Sequence, residues 1–251
     1  MDAEEFRALH HGPRPLVLPN VWDAVSARAF AGAGFPVLAT TSAAVAATLG
    51  YPDGERTPID EAFAAITRIV RSVDVPVTAD VEAGYGLAPN ELVERLLETG
   101  AVGCNVEDSY PASDALKDPD RHADWLAEVR AAAGPALVLN ARVDVFLSGG
   151  TVGSTVGGTV GGTVEDAIAR GRRYRDAGAD CIFPIFAPTD RLRELAEGID
   201  APVNALHLPD GPSPARLGEL GAARVTFGGG LHRRIAAAVT DLARELRATA
   251  S

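Results

Sequence analysis

Val75-Pro76-Val77-Thr78-Ala79-Asp80-Val81-Glu82-Ala83-Gly84-Tyr85-Gly86 is an apolar run that ends in two acids and then in glycines. Side chains alternate along a strand, so Asp80 and Glu82 project from one face of one strand end. Two carboxylates so placed repel each other unless a cation lies between them or one takes up a proton. Hard oxygen ligands of this kind suit Mg²⁺ or Mn²⁺ better than zinc. An isolated pair more often marks a solvated turn; the rest of this chain argues for more.

Similar apolar runs recur on both sides of it, at Leu16–Asn20, Pro36–Ser42, Val102–Asp108, Leu137–Asp144, Cys181–Phe186, Pro202–Leu206 and Arg224–Gly228. Helical patterns begin near Trp22, Pro58, Pro89, Arg121, Val164, Asp190, Ser213 and Leu231, and Gly34, Gly100, Gly178 and Gly221 sit where C-caps belong. Eight strand–helix units predict an α/β chain folded as one (β/α)₈ barrel over residues 1–251. No Gly-x-Gly-x-x-Gly follows the first strand, which disfavours a doubly wound sheet. Residues 148–164 read as tandem Thr-Val-Gly units and are expected to form a flexible loop after the fifth strand.

Of the 251 residues 47% are hydrophobic, enough for one large core, and the net charge of −11 makes nucleic acid a poor partner. Cys104 and Cys181 lie in apolar runs and read as reduced, buried thiols. The acidic start and the lack of a long charge-free apolar stretch predict a cytoplasmic protein with no membrane partner. Lys117 is the only lysine and sits in a polar stretch with no apolar pocket evident, so Schiff-base and pyridoxal-phosphate chemistry is nearly excluded.

In such a barrel every strand's C-terminal end faces one rim, where active sites are built. That rim collects Asn20, Asp23, Ser42, Asp80, Glu82, Glu107, Asp108, Arg142, Asp144, Asn204 and Gly228 to Gly230, with Asp53 on the loop after the second strand. Acids at successive strand ends are unusual, because strands spend inward positions on Val, Ile or Leu. A divalent cation held largely through water explains them, with Arg142 gripping a substrate carboxylate bidentately.

Five motifs, Leu18-Pro19-Asn20-Val21-Trp22-Asp23-Ala24, Thr40 to Gly54, Asp80 to Gly86, Asn105-Val106-Glu107-Asp108-Ser109 and Asn140-Ala141-Arg142-Val143-Asp144, together resemble the phosphoenolpyruvate mutase/isocitrate lyase superfamily. The resemblance implies Asp80 as principal Mg²⁺ carboxylate, with Asp53, Glu82 and Glu107 holding the metal's waters. It implies Ser42 and the N–H groups of Ala43 and Ala44 on a substrate carboxylate or enolate oxygen. Arg142 would take the part that leaves, and Asn204 would lie near the far substrate end. Catalysis would then rest on Ser42, Glu107 and Arg142. The implied reaction is Mg²⁺-dependent (Mn²⁺ as substitute) C–C cleavage of a small 2-oxo or 2-hydroxy dicarboxylate through an enolate. The alternatives are phosphonopyruvate mutase or hydrolase chemistry, or a non-catalytic barrel that binds 2-oxo acids. A homodimer or homotetramer with the C-terminal helix swapped between subunits is also implied.

The likeness fails after the fourth strand. The Lys-Lys/Arg-Cys-Gly-His stretch of the isocitrate and methylisocitrate lyases is missing, leaving Tyr110, Ser113, Asp114, Lys117 and His122 as acid/base candidates with nothing to choose among them. Glu82 stands where the best-known members carry Asp. Gly228 to Gly230 suit either a phosphate or tight packing, and His10-His11 reads as an exposed pair.

Overall fold

The structure, a computed structural model, describes residues 2–113, 115–147 and 162–250. Its strands are β1 (Leu16–Leu18), β2 (Asn20–Val21), β3 (Leu38–Thr40), β4 (Val77–Asp80), β5 (Gly103–Val106), β6 (Val138–Val143), β7 (Cys181–Pro184), β8 (Asn204–Leu206) and β9 (Arg224–Thr226). Its helices are α1 (Ala3–Leu9), α2 (Ala24–Gly32), α3 (Ser42–Leu49), α4 (Ile59–Val70), α5 (Pro89–Thr99), α6 (Pro119–Ala133), α7 (Val164–Asp176), α8 (Leu192–Ile199), α9 (Pro214–Glu219) and α10 (Gly230–Thr249).

Every strand pairing is parallel, in the orders β2-β3-β4-β5-β6-β7 and β1-β9-β8. The two runs join at both ends. β1 and β2 are one strand interrupted at Pro19, whose carbonyl still accepts from the Ala39 N–H at 3.0 Å. A bridge between Ile182 and Val203, with Ile182 N–H donating to the Pro202 carbonyl at 2.9 Å, links β7 to β8. The ladder therefore runs once around an eight-stranded barrel with helices outside, as the repeat of strand and helix patterns predicts.

The main core lies between strands and outer helices, where Leu92, Leu96, Leu126, Leu139 and Ile182 are fully buried. Gly103 permits one close approach: a Cβ there would meet the Val138 carbonyl oxygen at 2.5 Å. Asn20 closes the ring at the top. Its amide donates to the Thr40 carbonyl at 2.8 Å and accepts from the N–H groups of Phe227 (2.7 Å) and Gly228 (3.0 Å).

Two helices lie outside the sequence expectation. Ser42 is not the end of a strand but the first residue of α3, because Ala43-Ala44-Val45-Ala46-Ala47 favours helix and Gly50 in the left-handed region ends it. Helix α1 caps the barrel floor through Phe6, packed with Leu16, Leu18, Val37 and Val138. It buries His10 to 3% exposure, which corrects the reading of His10-His11 as an exposed pair. Residues 148–161 of the Thr-Val-Gly segment lie outside the described residues, whereas Thr163 and Val164 belong to α7 as N-cap and first residue. No helix among the described residues is long and apolar enough to cross a membrane.

The His10 ring bonds the Phe6 carbonyl through Nδ1 at 3.1 Å and leaves Nε2 without a partner. Burial, aided by the Arg224 charge, pushes its pKa from 6.5 down to about 4. A folded pKa below the unfolded one means that the stabilisation is complete above pH 6.5 and fades as pH falls toward 4. Urea melts at pH 7.5 and pH 5 should therefore show His10→Gln losing about 2 kcal/mol less than the parent on acidification. Equal losses would contradict this assignment.

Candidate active site

Asp80, the last residue of β4, faces the N-terminus of α3. Thr41 makes no side-chain cap there; the Asp80 carboxylate accepts from the Ser42 N–H at 3.0 Å instead. The Asp80 N–H is held in turn by the Thr40 hydroxyl at 2.8 Å. The Ser42 hydroxyl and the Gly54 N–H lie close enough to Asp53 to oppose the upward shift of its pKa, so α3 begins between two acids. Among the described residues no acceptor meets the N–H groups of Ala43 and Ala44.

Glu82 lies just past β4 with left-handed backbone (φ 51°), as do Tyr85 (φ 53°) and Glu55 (φ 57°). Such backbone costs roughly 1–3 kcal/mol per side-chain-bearing residue and persists where surroundings impose it. Here the surroundings are a mutual clasp. The Glu82 carboxylate accepts from the Glu55 N–H and, at 2.8 Å, from the Tyr85 hydroxyl, while the Glu55 carboxylate accepts from the Tyr85 N–H at 2.6 Å. Burial first, and then the nearby Asp53 charge against the Tyr85 bond, pushes the Glu82 pKa up to about 7. Burial and the Asp80 charge also raise Asp53.

Arg142 on β6 is clamped between Glu107, an ion pair, and Asp144, whose Oδ1 lies 2.7 Å from Nε. Burial works against its charge, but Glu107 and Asp144 outweigh burial and keep the guanidinium protonated. Glu107 is raised well above the usual range by burial, with Arg142 opposing. The Ser109 hydroxyl completes the set on Asp144 at 2.5 Å.

A cavity of about 550 Å³ opens above these strand ends and is lined by Ser42, Ala43, Asp53, Asp80, Glu82, Glu107 and Arg142. Asp23, Asp108, Asp144 and Asn204 are not on this wall: Asp23 caps α2, and Asp144 lies behind Arg142. Asn204 is fully buried, not on the cavity wall, and its amide donates to Thr226 at 3.0 Å. The Ala44 side chain is buried, and its N–H group belongs to the first turn of α3, whose opening residues Ser42 and Ala43 line the cavity. Asp108 turns outward from the barrel to Arg170 and Tyr174.

Of the loop candidates, His122 is buried against Trp125 and Tyr174, and Tyr110 is exposed; Asp114 lies outside the described residues. Lys117 does have an apolar neighbour, contrary to the sequence reading. It lies over Trp125 at 6.0 Å, donates to the carbonyls of Ala83 and Glu107, and burial lowers its pKa. The wall also holds Asn105, His207 and Arg233, which the sequence reading did not select as site residues. A basic residue in the opening turns of α10, against the helix dipole, was the available signal for Arg233.

Among the described residues no three acid, thiol or imidazole groups converge as ready-made direct metal ligands. The donor set nevertheless fits a hard cation that keeps most of its water. Four carboxylates share one wall, the Asp80 charge bears on Asp53, Glu82 and Glu107, and both Glu82 oxygens already hold protein donors.

The family model described as phosphoenolpyruvate phosphomutase matches residues 6–247. An uncharacterized protein of Mycobacterium tuberculosis is 36% identical over 89% of this chain and 81% of its own length. An oxaloacetate decarboxylase of Pseudomonas savastanoi pv. phaseolicola is 32% identical over 96% of this chain and 83% of its own. Among solved structures, 2,3-dimethylmalate lyase superposes with a TM-score of 0.83 at 26% identity, covering 99% of this chain and 88% of that one.

Proposed function

The chain belongs to the phosphoenolpyruvate phosphomutase family, whose related members are lyases and mutases, and from that premise we propose that it is a Mg²⁺-dependent carbon–carbon lyase. Its substrate in this reading is a small 2-oxo or 2-hydroxy dicarboxylate. The single observation that carries the proposal is the gathering of Asp53, Asp80, Glu82 and Glu107 on one cavity with Arg142. The resemblance to an oxaloacetate decarboxylase across nearly the whole chain supports a 2-oxo dicarboxylate as the substrate in this reading.

In this mechanism Asp80 would hold the metal, with Asp53, Glu82 and Glu107 acting through its waters. Bound there, Mg²⁺ supplies Lewis acidity that draws electrons toward the substrate's keto oxygen. The chain's own groups do the rest. Ser42 and the N–H groups of Ala43 and Ala44 meet the substrate carboxylate or the oxygen on which negative charge accumulates as the bond breaks. Arg142, held charged by Glu107 and Asp144, receives the departing anionic group. The apolar wall of Phe183, Phe186 and Phe227 excludes water and so strengthens these interactions.

Pyruvate release from oxaloacetate, malate-type acids and phosphonopyruvate, with Mg²⁺ and with chelator, tests this directly. Pyruvate is expected from a dicarboxylate with Mg²⁺, and none with chelator. Turnover of phosphonopyruvate alone would replace the lyase by a mutase or hydrolase. Oxalate binding without turnover of any substrate would leave a non-catalytic 2-oxo acid binding barrel.

The free buried thiols Cys104 and Cys181 suit the reducing cytoplasm, where we place the enzyme. We assign it a homodimer or homotetramer joined by exchange of α10. Ile235, Val239, Leu242 and Leu246 follow helical spacing along that helix and are 52%, 60%, 55% and 61% exposed in the single chain. Leu242→Glu combined with Leu246→Glu should shift sedimentation to the monomer; an unchanged assembly would exclude α10 from the contact.

A further inference from the structure

Arg224 is the largest fully buried side chain in the barrel interior, and among the described residues no carboxylate pairs with it. Among the described residues no acceptor meets its Nε or Nη1, and its guanidinium lies 6.0 Å above the Phe6 ring. Burial lowers its pKa to about 10, so it is charged near neutrality. Keeping such a cation is costly, and replacement by an apolar side chain would ordinarily cost nothing.

The one hydrogen bond that its side chain makes among the described residues explains what it does. Nη2 donates to Asn105 Oδ1 at 3.2 Å, and Asn140 Nδ2 donates to the same oxygen at 2.7 Å. A guanidinium has donors and no acceptor, so the atom facing it must be the amide oxygen. Asn105 is the register partner of Asp80 on the neighbouring strand and lies on the cavity wall. With its oxygen turned down to two donors, its NH₂ group is left for the cavity.

We propose that Asn105 is a substrate-binding donor for the anionic end of the substrate and that Arg224 is the positioning residue that orients its amide and supplies positive potential beneath the cavity floor. The proposal rests on the lyase reading of the same cavity. The pair balances the acid wall: carboxylates draw the cation from one side, while an oriented amide above a fixed charge draws the anion from the other. A unit charge acting across one barrel layer, at an effective dielectric constant of about 20, changes affinity by about tenfold.

The test is a pair of calorimetric titrations, Mg²⁺ alone and oxalate at saturating Mg²⁺, on the parent, Arg224→Met and Arg224→Lys. Arg224→Met should bind Mg²⁺ about tenfold more tightly, having lost a repelling charge, and oxalate about tenfold more weakly. Arg224→Lys, again a donor-only cation, should stay within about twofold of the parent for both ligands. Arg224→Gln, which keeps a donor to Asn105, replaces the Met variant if that one does not fold, and should tighten Mg²⁺ in the same way.

Shifts of both ligands in one direction, as loosened packing would produce, overturn the proposal, and so does the absence of any shift. A parent that binds neither ligand overturns the lyase reading and this inference with it. A parent that binds both, with no opposed shifts in the variants, overturns the inference alone.

Discussion

Asp80→Ala will lower Mg²⁺-dependent kcat/KM by on the order of 10³-fold, the range seen when a principal electrostatic group is removed from an active site. Asp80 is the acid to which the rest of the wall refers. Its charge raises Asp53 and adds to the upward shifts of Glu82 and Glu107. It also accepts the Ser42 N–H that opens α3, so the variant loses a helix cap along with a ligand. Asp80→Asn separates the two roles, because an amide oxygen still accepts from Ser42 but carries no charge. Turnover assays with calorimetric Mg²⁺ titration should show both variants losing metal affinity, with Asn retaining more thermal stability. An Asp80→Ala enzyme within tenfold of the parent would remove Asp80 from the proposed mechanism.

The largest expected loss of stability lies one strand away, in a residue that does not touch the cavity. Asp108 is fully buried and accepts from the Tyr174 hydroxyl at 2.8 Å, from Arg170 Nη1 at 3.0 Å and from the Asp144 N–H at 2.7 Å. Burial raises its pKa, with these donors opposing the shift. Removing one partner of a buried pair leaves the other charge uncompensated, at a cost of about 3–5 kcal/mol. Asp108→Ala should therefore lower the melting temperature by roughly 10 °C for a domain of this size. The folded fraction should keep most of its activity, because the residue acts on α7 and not on the substrate. A melting temperature within about 2 °C of the parent would show that Arg170 and Tyr174 find other partners.

Glu107 and Asp108 are adjacent acids with opposite fates. Both stand at one strand end, and both were candidates for the rim. Alternation along β5 sends Glu107 to the cavity and Asp108 to α7, but the sequence does not say which face is which at a strand's last residue. The apolar run from Pro36 puts Ser42 at a strand end, but it starts α3, because helix propensity in the alanine run overrides the strand pattern. Asn204 matched a motif position, yet its amide is spent on Thr226 inside the barrel. Lys117 looked solvated in a polar stretch because Trp125, its apolar neighbour, comes from α6.

The eight strands, their parallel order and the acids at their ends were legible in the chain, because period-2 alternation, helix caps and turn glycines are local signals that short windows carry. Which acids share a cavity, that Arg142 is held between Glu107 and Asp144, and that Arg224 faces Asn105 follow from residues as many as 119 positions apart. Those pairings depend on the register with which the ring closes. A one-residue slip of any strand would send each side chain to the opposite face, and no local window encodes that register.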